Sequence, residues 1–195
     1  MSIFELDLSN ISLKIREGSP AIFPTDTLPA LGICPKHAYK LWEIKKRSLN
    51  KPLILMGASQ KQLFELIEEF PLENALRIAR IYWPGALTMV LPASGEVVDL
   101  LNPGSKTIGM RVPNSLYARK LLEQTGPLAT TSANISGESS CNSALEASQV
   151  FPYIPVLGPL PWPSSSGMAS TVIEWRESES WRFLRKGAVI PNEIE

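Results

Sequence analysis

Apolar residues recur along this chain in two rhythms, and the rhythm changes where prolines and glycines fall. Pro20 to Pro24 reads as a short buried strand running into a loop, and Leu53 to Met56 is a four-residue apolar run that predicts a central strand. Pro35 to Arg47 has helical spacing, with Ala38, Leu41, Trp42 and Ile44 close to one face and Lys45 and Arg47 at the C-terminal end. Cations there complement the helix dipole. Ser59 is placed to cap a helix over Gln60 to Phe70, whose core face would be Leu63, Leu66, Ile67 and Phe70. A second helix is predicted over Glu73 to Tyr82, closed by Trp83-Pro84-Gly85.

Ala86 to Leu91 and Thr107 to Val112 are strand candidates separated by a polar turn. Ser115 to Glu123 is helical, Asn142 to Val150 is a shorter helix, and Val172–Trp175 with Trp181–Leu184 predicts a late hairpin. Strands alternate with helices early and pair late, which favours an α/β sheet with some antiparallel strands. Pro155 to Gly167 holds four prolines and three consecutive serines and reads as a mobile loop over something. Its Trp162 is the tryptophan placed to cover a ligand; the others read as packing residues.

With 195 residues, 44% hydrophobic and 19% charged, the chain fits one globular domain with a sizeable core. The charges balance at zero, so nothing draws the whole molecule to nucleic acid. RNA contact would need a local patch, and the dense basic cluster is Lys45 to Lys51. Two cysteines make no disulfide framework, and one histidine, His37, argues against a His-rich metal site or a Ser-His-Asp triad. Cys34 and Cys141 read as inert thiols and His37 as an exposed residue opening a helix. No apolar run approaches the roughly 20 residues of a membrane helix. The N-terminus lacks a signal-peptide pattern, so the expected compartment is the cytoplasm.

Thr131-Ser132-Ala133-Asn134-Ile135-Ser136-Gly137 is the most informative stretch. It follows a short apolar run, and its small hydroxyl and amide side chains either make a turn or let backbone N–H groups converge on an anion. Lys45, Arg47 and Lys51 are either a solvated helix end or a phosphate site, where a guanidinium binds oxygens in pairs. Thr25-Asp26-Thr27 is either a local turn or a polar-ligand contact, with Asp26 a possible magnesium or water ligand. Arg111 is either half of a surface ion pair or a carboxylate fork. Thr130 and Ser132, two apart on one strand, share a face.

In sequence order the chain carries Pro24-Thr25-Asp26-Thr27, Lys45 through Leu53, Arg111-Val112-Pro113, the Thr131–Gly137 loop, Ser170-Thr171-Val172 and Arg185-Lys186-Gly187. Together these resemble the YrdC-type family of threonylcarbamoyl-AMP synthases, over about residues 10 to 190. The resemblance implies one YrdC-like domain over 1–195, an α/β fold with a twisted mixed sheet flanked by helices and a concave ligand-binding surface. It implies that ATP, L-threonine and bicarbonate become threonylcarbamoyl-AMP and pyrophosphate, for tRNA threonylcarbamoyladenosine modification by downstream proteins. By resemblance Lys45 and Arg47 are catalytic, and Arg47, Lys51, Thr107, Ser132, Asn134, Ser140 and Arg185 serve ATP. Thr27, Arg111, Thr130 and Ser170 serve L-threonine. No protein-held metal is implied; Mg2+ is carried with ATP.

The chain departs from the family pattern on the threonine side. The usual Thr-Val-Tyr-Gly-Leu-Gly becomes Thr27-Leu28-Pro29-Ala30-Leu31-Gly32, and Met56 replaces a histidine found in some members. Leu160-Pro161-Trp162-Pro163-Ser164 replaces an Asp-Gly-Gly-like stretch, and Glu174 stands where an aspartate is usual. Two other readings remain: a divergent paralogue binding nucleotide or RNA (tRNA or double-stranded RNA) without turnover, and a carbamoyl or adenylyl transfer with another amino acid.

Overall fold

A computed structural model describes residues 4–66, 73–176 and 180–194. Ten strands form one mixed sheet: β1 (Glu5–Leu6), β2 (Ala21–Phe23), β3 (Ala30–Ile33), β4 (Ile54–Met56), β5 (Leu87–Pro92), β6 (Thr107–Arg111), β7 (Leu128–Ser132), β8 (Val156–Leu157), β9 (Thr171–Trp175) and β10 (Trp181–Arg185). Their order is β1-β8-β2-β3-β7-β4-β6-β5-β9-β10. Around β7 the pairing is antiparallel on both sides, to β3 and to β4, whereas β4 runs parallel to β6 and β5 parallel to β9. The late hairpin predicted from sequence is present as β9 and β10.

The sequence fixes the helix starts through short polar side chains. Asp7 caps α1 (Leu8–Arg16), Ser59 caps α3 (Gln60–Phe64), Ser115 caps α6 (Leu116–Thr125) and Ser143 caps α7 (Ala144–Val150). Each accepts the backbone N–H three residues on, which supplies a partner that the helix start lacks. α2 (Tyr39–Lys45), preceded by a 3-10 turn over Pro35–His37, ends where Lys46 turns left-handed at φ 51. α4 (Glu73–Tyr82) has the predicted bounds and buries Ala75, Ile78 and Ala79 on one stripe.

Alternation along the strands sends neighbours to opposite faces. Ile22, Leu55 and Ala129 join a core with Leu41 and Trp42 of α2, Ile78 of α4 and Ala147 of α7. Ala21, Phe23, Met56 and Leu128 belong to a second core with Ile11 and Ile15 of α1 and Leu121 and Leu122 of α6. Beyond that helix pair, Ile54, Thr88, Val90, Thr107, Gly109, Val172 and Glu174 line an open depression of about 420 Å³. This is the concave surface expected of the fold.

Three details differ from the expectations. The supposed polar turn between β5 and β6 contains α5 (Glu96–Leu101), which buries Val97, Val98 and Leu101. Its two turns are too short to show a full helical period. Leu66 is exposed instead of lying on a core face, since α3 ends at Phe64; Ile67 and Phe70 lie outside the described residues. His37 is half-buried, its ring lying over Gly18 so closely that a Cβ there would meet Nε2 at 2.7 Å.

Candidate functional site

The loop leaving β2 is shaped by Thr25, whose Oγ1 donates to the Leu28 carbonyl at 2.7 Å and accepts the Thr27 N–H at 3.1 Å. That local bonding turns Thr27 toward Arg111, at the end of β6. Arg111 Nη1 donates to Thr27 Oγ1 at 2.8 Å, Nη2 to Asp26 Oδ1 at 2.7 Å and Nε to the Gly85 carbonyl at 2.9 Å. Arg111 is only 4% exposed. Burial pulls its pKa down, opposed by the Asp26 carboxylate, and a guanidinium remains charged there. Asp26 also accepts the Asn114 N–H at 3.0 Å. The carboxylate considered as a magnesium or water ligand is therefore engaged as the counter-ion of Arg111.

Two further guanidiniums approach the same place. Arg47 is held by the carbonyls of Lys51 at 3.1 Å and Pro52 at 3.0 Å. Arg185 donates to the Ser170 carbonyl at 3.0 Å and to Ser170 Oγ at 3.2 Å. Burial lowers both pKa values, and Arg185 lowers those of Arg47 and Arg111 further by like-charge repulsion. Among the described residues neither Arg47 nor Arg185 is ion-paired with a carboxylate. Among the described residues three cations thus face one cavity and only Arg111 is ion-paired, to Asp26, an arrangement that attracts anions.

Eight of the residues singled out from sequence line this cavity of about 170 Å³. They are Thr27, Arg47, Arg111 and Thr130, with Ser132, Ser140, Ser170 and Arg185. Thr130 is pinned by a 3.0 Å bond to the Ile54 carbonyl. Lys51 and Thr107 line the neighbouring 420 Å³ depression instead, and Arg47 belongs to both walls and joins them.

Lys45 and Asn134 lie beneath the cavity and do not line it. Lys45 is 1% exposed; its ammonium donates to the Ser132 carbonyl and to Asn134 Oδ1. Asn134 Nδ2 in turn donates to the carbonyls of Ile135 at 2.9 Å and Glu138 at 2.8 Å. This buried network holds the Thr131–Gly137 loop in shape. Burial, and then the Arg47 charge, push the Lys45 pKa down from 10.5 to about 8. Far from a solvated helix end, Lys45 is one of the most deeply buried side chains in the chain.

Sequence reasoning missed Thr88 and the Gly85 carbonyl. Thr88 is buried in β5 and pairs its hydroxyl with Ser170 Oγ at 2.9 Å. Its one signal was a threonine interrupting the run Leu87-Thr88-Met89-Val90-Leu91. Cys141 is buried, and burial followed by Glu146 raises its thiol pKa, the opposite of activation. Among the described residues no three His, Cys, Asp or Glu side chains cluster as a metal site, and no helix is long and apolar enough to cross a membrane.

Fold and site define an α/β protein with a cationic, hydroxyl-lined cleft on one face of a mixed sheet. The Sua5_yciO_yrdC family model, described as telomere recombination, matches residues 14–187, and the chain belongs to that family. A threonylcarbamoyl-AMP synthase of Pyrococcus abyssi is 41% identical over 141 residues, which are 70% of this chain and 41% of the relative. That of Idiomarina loihiensis is 34% identical over 134 residues, 66% of this chain and 72% of the relative. The solved structure of P. abyssi Sua5 complexed with L-threonine superposes with a TM-score of 0.84 at 33% identity, covering 96% of this chain and 58% of that one. E. coli YciO, at 23% identity and TM-score 0.80, shares the fold. The match spans about two fifths of the Pyrococcus synthase and of a Bacillus subtilis one.

Proposed function

We propose that the chain is an L-threonylcarbamoyladenylate synthase. The observation that carries this reading is the convergence of Arg47, Arg111 and Arg185 with the hydroxyls of Thr27, Thr130, Ser132 and Ser170 on one cavity. Membership of a family whose relatives include named threonylcarbamoyl-AMP synthases supports it, as does the likeness to a threonine-bound structure.

The chemistry suits a site without a nucleophile. The threonine amine combines with bicarbonate to give a carbamate and water. A carbamate oxygen then attacks the α-phosphorus of ATP, the Pα–O bond to the leaving group breaks, and pyrophosphate departs. Catalysis of this kind rests on holding the reactants in line and on neutralising phosphate charge. Arg111 makes three of its five possible N–H bonds within the described protein, which leaves two for the amino-acid carboxylate. Arg47 and Arg185 neutralise phosphate charge, with Ser132 and Ser140 beside them. Lys45 and Asn134 position the loop beneath. Lys51 and Thr107 stand along the open sheet face, where the nucleoside of ATP would lie.

Magnesium accompanies the triphosphate in this reading. Among the described residues the carboxylate nearest the site, Asp26, is bonded to Arg111. Delivery of the product to tRNA-modifying proteins in the cytoplasm belongs to the same proposal.

The test is to incubate the protein with ATP, Mg2+, bicarbonate and L-threonine and to follow pyrophosphate and threonylcarbamoyl-AMP by mass spectrometry. Threonine-dependent product is expected. ATP binding with no product would overturn the reading and favour a nucleotide- or RNA-binding role for the concave surface, which salt-sensitive RNA affinity would then reveal.

A further inference from the structure

Beside the cationic cavity lies a second, larger chamber of about 590 Å³. The two share the lining residues Thr25 and Pro29, on the same strip of chain that carries Thr27. Their linings differ sharply. The smaller cavity presents three guanidiniums, whereas among the described residues no charged side chain lines the chamber. Its apolar walls are Pro24 and Pro29 on one side and Leu160 and Trp162 on the other. A cavity of 170 Å³ falls short of the roughly 300–1,000 Å³ usual for small-molecule sites, and the chamber falls within that range.

The chamber is built in advance of any ligand. Trp162 Nε1 donates to the Leu157 carbonyl at 2.7 Å, which fixes the indole plane. Leu160 and Trp162 are half-buried and rest on the main core. The Ser166 N–H donates to the Asp26 carbonyl at 3.1 Å and ties this proline-rich segment to the strip that carries Thr27. A flat, pre-set wall of indole and proline rings suits an aromatic ring, which gains contact area with little loss of freedom.

We propose that this chamber is a side-chain subsite, and that the protein accepts aromatic L-amino acids as well as threonine. This rests on the function proposed above. The carboxylate takes the free N–H groups of Arg111, and the ring passes Thr25 and Pro29 to lie against Leu160 and Trp162. The reaction is the same one: the amine forms a carbamate with bicarbonate, releasing water, and the carbamate oxygen displaces pyrophosphate from ATP.

The experiment compares L-phenylalanine with L-threonine, measuring kcat/KM by pyrophosphate release and product identity by mass spectrometry. The full chain is used with ATP, Mg2+ and bicarbonate. Two variants act on the chamber in opposite ways: Trp162→Ala removes a wall, and Ser165→Trp fills the space from the rim. The expected wild-type kcat/KM for phenylalanine is at least a tenth of that for threonine. Each variant should lower the phenylalanine-to-threonine ratio by about tenfold or more, the scale on which apolar pockets discriminate. Product from threonine alone would overturn the subsite and leave the proposed function standing. Phenylalanine turnover with a ratio that neither folded variant changes would also overturn it. Absence of product from every amino acid would overturn both.

Discussion

Replacing either member of the Arg111–Asp26 pair tests how the site is held. The pair is 2.7 Å apart, with side chains 5% and 17% exposed. Arg111→Met leaves the Asp26 carboxylate without its cation and removes donors from Thr27 and from the Gly85 carbonyl. Removing one partner of a buried pair costs about 3–5 kcal/mol, because the other charge is stranded. At about 2–4 °C per kcal/mol for a chain of this size, Tm should fall by about 6–20 °C. Asp26→Asn strands the guanidinium instead and should cost a similar amount. The double variant strands neither, so it should be no less stable than the worse single variant, with a coupling of about 2–3 kcal/mol. Urea titrations followed by tryptophan fluorescence, with m-values compared to check that unfolding remains two-state, measure all three. Single losses below about 1 kcal/mol, or additive losses in the double variant, would refute the view that this pair is a buried, mutually dependent unit.

Lys45 carries a pH prediction. Its pKa in the folded chain is about 8 against an ordinary 10.5. Between those values the unfolded chain retains a proton that the native chain has released, so stability rises with pH across the window; the cost of burying the ammonium is fully present below pH 8. Urea titrations from pH 7 to 10.5 should show a rise of about 2–3 kcal/mol in the native chain relative to Lys45→Met, and parallel curves would refute the shift. Arg47→Ala should weaken ATP at least tenfold by calorimetry, the scale of one lost charge-assisted bond; unchanged affinity in a folded variant would remove Arg47 from the phosphate site. Arg111→Lys, which keeps the charge and loses the fork, should raise KM for threonine more than KM for ATP, and equal increases would show that the two subsites are assigned to the wrong residues. Gly187→Ala would drive a Cβ into the backbone of Ala169 and Ser170, shifting the partner of Arg185. It should cost about 1–3 kcal/mol and weaken ATP, as thermal melts and calorimetry would show.

How much of this was legible in the sequence depended on whether the signal was local. Ser59, Ser115 and Ser143 cap helices through their own neighbours, and α4 shows its stripe within ten residues. Those elements were readable. β1 and β8 have two residues each, and β3 is a run of Ala30-Leu31-Gly32-Ile33 with no polar alternation. Their strand character comes from partners distant in sequence, so no local pattern announces them. The site shows the same division. Thr27, Arg47, Arg111, Ser132, Ser170 and Arg185, singled out by motif, line one cavity. Motifs could not tell that Lys45 would be buried under Ser132, 87 positions away, or that Asp26 would be taken up by Arg111. Charge at a helix end looks alike in sequence whether water or a carbonyl receives it.

The central position of β7 bears on how the chain is made. It bonds to β3 on one side and β4 on the other, yet both partners precede it in sequence, at Ala30–Ile33 and Ile54–Met56. During synthesis those two strands emerge first, each with an open edge that another nascent chain could pair with. The two sides of the sheet join only when Leu128–Ser132 leaves the ribosome, and such late, long-range pairing slows folding. The strand carrying Thr130 and Ser132 is thus also the one that joins the two sides of the sheet. A substitution at Leu128 or Ala129 that weakens strand pairing would show itself first as lost yield and inclusion bodies, with normal turnover in the molecules that do mature.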